Sequence, residues 1–257
     1  MTLVMGILNV TPDSFSDGGQ FLDPAKAIAR GIEMMEEGAT IIDVGGESTK
    51  PGAERVSMDE ELSRVIPVIH ALAKAGAKVS VDTMRAETAG MAVAAGASII
   101  NDVSGGLSDP AMHATAAAMK TQYICMHWRG QSKDMDSLAN YEDVVKDVIN
   151  EITKQVAAAL IAGIEPTKLV IDPGLGFAKN AEQNWEILRN IDKFKELGFP
   201  ILVGGSRKRF LGGDNPSQRE SASIALTTWL ATKDIWGVRT HTVKPHVDAI
   251  KVIGQVL

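Results

Sequence analysis

The segment Lys78-Val79-Ser80-Val81-Asp82-Thr83-Met84-Arg85-Ala86-Glu87-Thr88-Ala89-Gly90-Met91-Ala92-Val93-Ala94-Ala95-Gly96-Ala97-Ser98-Ile99-Ile100-Asn101-Asp102 contains one complete structural unit. Its first four residues form a short apolar run, which reads as a strand buried on both faces. Residues 85–95 carry a helical pattern. Gly96 lies just past them, where a helix end favours a left-handed residue. Ser98-Ile99-Ile100 is the next short apolar run. Strand, helix and strand in close order imply a right-handed crossover and a parallel pair. Polar residues follow each strand: Asp82 after the first, Asn101 and Asp102 after the second.

The same alternation extends in both directions. Further short apolar runs occupy residues 3–8, 40–44, 122–126, 168–171, 200–203 and 235–238, which makes eight strands in all. Helical patterns cover residues 24–37, 57–75, 109–119, 141–162, 181–197, 217–232 and 245–256. Asp23 is placed as an N-cap before Pro24, and Ser57 with Glu60 has capping-box spacing. Gly38, Gly76, Gly163 and Gly198 repeat the position of Gly96. Eight strand–helix units predict a single-domain (β/α)8 TIM barrel over residues 1–257, a fold of about 250 residues. An open doubly wound sheet is the alternative. Two loops are long, 10–23 and 45–56, and loops of this kind in compact domains often serve as functional lids.

Composition narrows the classes. Hydrophobic residues make up 45% of the chain, enough for a sizeable core. Lys and Arg number 26 against 32 Asp and Glu, a net charge of -6, which argues against a general nucleic-acid binder. Cys125 is the one cysteine, so no intramolecular disulfide forms and a reducing compartment is expected. The first residues lack a basic start and a signal-type apolar region, and no apolar stretch approaches the ~20 residues that span a bilayer. The expected location is cytoplasmic.

In such a barrel the active site lies on the loops after the strands. The residues closing the eight strands are Asn9; Asp43 and Glu47; Asp82; Asn101 and Asp102; His127; Asp172; Ser206, Arg207 and Lys208; and Arg239 and His241. Asp82, Asn101, Asp172 and Lys208 suit a flat heterocycle with an amino-pyrimidinone edge, whose N–H donors and carbonyl all need partners once buried. Arg239 and His241 follow the eighth run, on the usual phosphate side of these barrels. Asn9, with Asp13 and Asp17 nearby, offers oxygen donors to a hard cation such as Mg²⁺.

Gly6-Ile7-Leu8-Asn9-Val10-Thr11-Pro12-Asp13-Ser14-Phe15-Ser16-Asp17-Gly18-Gly19 closely resembles the first signature of the dihydropteroate synthases. Asp43-Val44-Gly45-Gly46-Glu47-Ser48-Thr49 resembles the second. The likeness continues through Ser80 to Thr83, Asn101 to Gly106, Met126-His127, Asp172 to Phe177, Ser206-Arg207-Lys208 and Arg239-Thr240-His241. It implies a pterin-binding TIM barrel of folate biosynthesis. This transferase joins 6-hydroxymethyl-7,8-dihydropterin pyrophosphate to p-aminobenzoate and is the target of sulfonamides.

By position, the resemblance implies that Asp82, Asn101, Asp172 and Lys208 hold the pterin. Arg239, His241 and Asn9 would bind the pyrophosphate, with Asn9 also a Mg²⁺ ligand. Thr49 would be a substrate contact. Phe15, Pro51 and Lys208 would wall the p-aminobenzoate pocket, its carboxylate facing the start of a helix after Lys208, near Arg209. Lys50 stands where the family usually has Arg, keeping the charge but losing the planar fork. Asp82, Lys208, Arg239 and His241 are the expected catalytic set, and a homodimer is expected. Two relatives of the same barrel are alternatives: a folate-dependent corrinoid methyltransferase and a catalytically silent pterin-binding paralogue.

Overall fold

The structure, a computed structural model, describes residues 1–11, 23–47, 55–131 and 134–257. Asp13, Phe15, Asp17, Thr49, Lys50 and Pro51 lie outside the described residues. The eight strands are β1 (Leu3–Asn9), β2 (Ile41–Gly45), β3 (Val79–Asp82), β4 (Ile99–Asp102), β5 (Gln122–Met126), β6 (Leu169–Asp172), β7 (Leu202–Val203) and β8 (Gly237–Thr240). All neighbours pair in parallel, in the order β6-β5-β4-β3-β2-β1-β8-β7. A parallel bridge between Ile171 and Ile201 joins the two ends of this row. The sheet therefore closes into the expected (β/α)8 barrel, and the open sheet is excluded.

The helices α1 (Pro24–Glu36), α2 (Met58–Lys74), α3 (Ala86–Ala94), α4 (Met112–Met119), α5 (Val144–Ile161), α6 (Ala181–Arg189), α7 (Ile191–Lys195), α8 (Glu220–Ala231) and α9 (Lys244–Val256) surround it. Asp23 caps α1 through a bond from the Ala25 N–H, and Ser57 caps α2 through one from Glu60. Gly38, Gly76, Gly96, Gly163 and Gly198 all take positive φ, as their places after helices require.

Helices α4, α5 and α8 each begin three residues later than expected, β7 begins at residue 202 and not 200, and two further differences have a clear physical cause. The helix expected over residues 181–197 is two helices. Asn190 breaks it, its side-chain amide bonding back to Glu186 O at 2.9 Å. The eighth strand begins two residues later than its apolar run and extends to Thr240, so Arg239 lies within the strand and not after it. An apolar run ends at the first charge, whereas a barrel strand continues into its polar last layer.

Alternation along the strands divides the core in two. Met5, Ile41, Ile99, Ile124, Val170 and Leu202 pack together inside the barrel, plugged at one end by Leu3 and Trp236. Val4, Leu8, Ile42, Val44, Val81, Ile100 and Cys125 point the other way, against helix residues such as Val68, Leu72 and Ile152. The next inward positions after the inner apolar layer are Asp43, Asp82, Asn101, Asp172 and Arg239, so the period of two itself carries polar groups to the mouth.

Ile124→Ala removes a fully buried side chain from the inner layer. It is expected to cost about 2–5 kcal/mol in urea unfolding, because the closed barrel cannot collapse around the void.

Candidate active site

Arg239 occupies the centre of the mouth. Its Nε donates to Asp43 Oδ2 at 2.6 Å, and a terminal nitrogen donates to Asp82 Oδ2 at 2.5 Å. Asn101 donates its amide to the same Asp43 oxygen at 3.0 Å. Four strands are thus joined by one network of charge-assisted bonds. Asp43 is fully buried, and its Oδ1 has no partner among the described residues. Burial pushes the Asp82 carboxyl up to about 7, with Arg239 pulling the other way and Asp43, Glu61 and Asp102 adding to the rise. The two carboxylates hold Arg239 firmly in its charged form.

Asp172 and Lys208 face each other across the far side. Asp172 ends β6, and its Oδ1 accepts the Gly174 N–H at 2.7 Å. Burial raises its carboxyl, against the Gly174 hydrogen bond and the nearby Lys208, Arg239 and Lys179. Lys208 donates to Leu175 O at 2.5 Å and lies 4.1 Å above the Phe177 ring. Burial lowers its amine to about 8, with Asp172 opposing. Gly176 adopts φ 75°, and a Cβ there would come within 2.6 Å of the Lys208 stem. A glycine is therefore what lets the β6 loop pass under the lysine.

His241 follows β8, with Nδ1 3.1 Å from Ser206 Oγ. Burial, then Arg239, Arg207 and Lys208, hold its ring down to about 3, so it is neutral at physiological pH. Asn9 ends β1 at the same rim, and its carboxamide has no hydrogen-bond partner among the described residues.

Of the expected site residues, Asp82 and Arg239 are in direct contact and Asn101 is joined to them through Asp43, while Asp172 and Lys208 flank them and influence each other's charge. Two strand-end groups turn away. Asp102 points outward and accepts bonds from Ser104, Gly106 and the Tyr123 hydroxyl. His127 is buried towards α5, bonded to Glu151 at 2.9 Å. The segment after Lys208 is a single 3-10 turn, Arg209–Leu211, and not the helix expected there. It supplies no macrodipole of the strength a full helix would direct at a carboxylate.

Three supporting groups escaped the sequence reading. Asp43, known only as a strand-end residue, is the joint of the whole cluster. Lys179 is buried with its amine 2.8 Å from His127 Nδ1 and bonded to Gly174 O and Phe177 O, which ties down the β6 loop under Lys208. Arg85 bonds Glu47 and Val56 O, and so holds together the two stems of the loop after β2. None of these three makes a motif by spacing alone. Asp43 was detectable as a carboxylate at an inward position.

A barrel with a carboxylate-lined floor and a cationic rim is the architecture of an enzyme that takes a small heterocycle carrying an anion. The family model for pterin binding enzymes matches residues 5–241. A dihydropteroate synthase from Mycobacterium leprae is 48% identical over 99% of this chain and 93% of its own length. The solved Xanthomonas albilineans dihydropteroate synthase with 4-aminobenzoic acid superposes with a TM-score of 0.93, at 42% identity over 99% of this chain and 93% of that one. An Anaplasma phagocytophilum dihydropteroate synthase with bound 6-hydroxymethylpterin-monophosphate gives a TM-score of 0.91, at 34% identity over 100% and 99%. The chain belongs to the pterin-binding enzymes and, within them, to the dihydropteroate synthase family.

Arg239→Met removes the strongest influence holding the Asp82 carboxyl down. In a carbon-13 titration, Asp82 is expected to ionise near pH 7 in the native protein and higher in the variant. Its folded value lies above the ~3.9 of an unfolded chain. The stability it contributes is therefore full below that lower value and is lost as pH rises through about 7. In Arg239→Met the loss should shift to higher pH.

Proposed function

We propose that this chain catalyses the dihydropteroate synthase reaction, joining 6-hydroxymethyl-7,8-dihydropterin pyrophosphate to p-aminobenzoate. The observation that carries the reading is the convergence of Asp82, Asn101, Asp172 and Lys208 on the mouth beside Arg239. A buried amino-pyrimidinone edge needs acceptors for its N–H groups and a donor for its carbonyl, and this set provides both. The pterin ligand of the Anaplasma structure and the 4-aminobenzoic acid of the Xanthomonas structure match the two halves of that substrate pair.

In this reading Asp172 and Asn101 hold the pterin edge and Lys208 donates to it. The bond between the pterin methylene and the pyrophosphate oxygen breaks, and its electron pair leaves with the pyrophosphate. Arg239 and the neutral His241 donate to the departing oxygens. The methylene carbon becomes cationic, delocalised into the ring, with the Asp82 carboxylate nearest to it. The aniline nitrogen of p-aminobenzoate then forms the carbon–nitrogen bond and sheds one proton. Thr49, Phe15, Lys50 and Pro51 complete the p-aminobenzoate side by position in the family pattern.

Mg²⁺ is part of the proposal, held through Asn9. The Asn9 carboxamide oxygen at the rim fits a cation that keeps most of its waters and draws its remaining ligands from substrate phosphates. Among the described residues no group of three His, Cys, Asp or Glu is placed to hold a metal, so a cage of protein ligands is not the arrangement proposed. When bound, Mg²⁺ would neutralise charge on the leaving pyrophosphate. A homodimer and a cytoplasmic location complete the reading. Half-buried Ile224 and Trp229 leave apolar surface on α8 for a partner, and no helix among the described residues is long and apolar enough to cross a membrane.

The test is pyrophosphate release from the pterin substrate with Mg²⁺, with and without p-aminobenzoate. Release coupled to dihydropteroate formation is expected. Tight pterin binding without turnover would overturn the synthase in favour of a silent paralogue.

Asp172→Ala deletes a carboxylate that would take two N–H bonds from the pterin. Charge-assisted bonds contribute about 1.5–3 kcal/mol each, so pterin pyrophosphate affinity should fall at least about 100-fold by calorimetry while the circular dichroism spectrum is retained.

A further inference from the structure

Ser206 is buried, and its hydroxyl is in contact with one residue twice. Its Oγ accepts the backbone N–H of His241 at 3.3 Å and lies 3.1 Å from that residue's Nδ1. The hydroxyl hydrogen then has to find an acceptor, because a buried O–H without one is a costly defect. Among the described residues, His241 Nδ1 is the only acceptor recorded for it. Ser206 therefore donates to Nδ1, and Nδ1 carries no proton. A neutral imidazole with a bare Nδ1 bears its hydrogen on Nε2.

The turn that carries Ser206 is built to keep it there. Arg207, the next residue, has φ 59°, a left-handed conformation that a side chain other than glycine adopts only when its surroundings enforce it. Those surroundings come from α8 and the turn before it. Ser223 Oγ accepts the Arg207 N–H at 2.9 Å, and Glu220 pairs with its guanidinium at 2.7 Å. Arg219 donates to its carbonyl at 3.1 Å. The charged groups acting on His241 point the same way. Arg239, Arg207 and Lys208 disfavour a second proton on the ring, and Glu220 alone favours one.

We propose that Ser206 is a positioning residue that locks His241 in the Nε2–H tautomer, so that the ring serves the departing anion as a fixed neutral donor. The proposal rests on the functional reading above for what His241 binds, but not for the tautomer itself. A cationic rim already holds Arg239 and Lys208. A third charge there would be desolvated at a cost, whereas a preset N–H adds a directed bond with no proton to rearrange during the reaction.

The test is nitrogen-15 NMR of the histidine side chains in the full-length protein, with His241→Gln used to assign the signals. The native spectrum is expected to show Nδ1 unprotonated and Nε2 protonated for His241. A protonated Nδ1 in the native protein would overturn the proposal, and that spectrum decides the matter even if a Ser206 variant fails to fold. In Ser206→Ala a population protonated at Nδ1 should appear. There kcat should fall about tenfold with the KM for p-aminobenzoate unchanged, and Ser206→Thr should restore both the spectrum and the rate. Native-like kcat and tautomer in Ser206→Ala would refute it. Absence of turnover in the native enzyme would instead refute the functional reading and leave the spectra to decide the tautomer.

Discussion

The guanidinium of Arg239, shared between Asp43 and Asp82, is the contact on which the mouth of the barrel depends. Three charged groups at the end of a closed apolar tube cannot each find water. Breaking a buried pair by removing one partner costs about 3–5 kcal/mol, since the charge left behind is unpaired. The fork of Arg239 answers two carboxylates from different strands at once, which an ammonium, a point charge on a flexible stem, does less well. The partners stand 196 and 157 positions away in sequence. Only the pairing of β8 with β1, of β1 with β2 and of β2 with β3 brings them together. The site and the barrel are in this sense one structure.

That dependence also explains what the sequence could reveal. Strand–helix alternation and the post-helical glycines are local signals, and they were enough for the fold, because each strand needs only its own apolar run to declare itself. The residues at the mouth were legible as types at strand ends. Their mutual contacts were not, since an ion pair such as Arg239–Asp43 leaves no trace in spacing. Asp102 and His127 show the limit most clearly. Both follow apolar runs just as Asp82 and Asp172 do, yet a shift of one residue in register turns them towards the helices. Arg239 shows the converse: it fell outside the apolar run and is nevertheless an inward strand residue.

The support beneath the site obeys the same logic. Lys208 has no direct carboxylate bond among the described residues. It rests on Leu175 O and the Phe177 ring, both part of the β6 loop. That loop is in turn bound by Lys179, whose amine burial lowers to about 7 and whose other partner is His127, linked on to Glu151. His127 therefore matters to the site although it never reaches the mouth. Its role is to give the buried amine an uncharged third acceptor beside Gly174 O and Phe177 O.

The charge balance at the mouth suggests why the cluster is arranged to exchange partners. Arg239 is bonded through Nε to Asp43, which is fully buried, and through a terminal nitrogen to Asp82, which is 7% exposed. In the proposed reaction an arriving pyrophosphate would compete for the terminal nitrogens and not for Nε, so Asp43 would remain the pivot while Asp82 is released. Burial alone drives the Asp82 carboxyl towards its neutral form, and Arg239 is what opposes this. In this reading the positive charge left on the pterin methylene would take the place of Arg239 as the charge that favours the Asp82 carboxylate. The ion pair at the barrel mouth would then be the one interaction that the chemistry replaces.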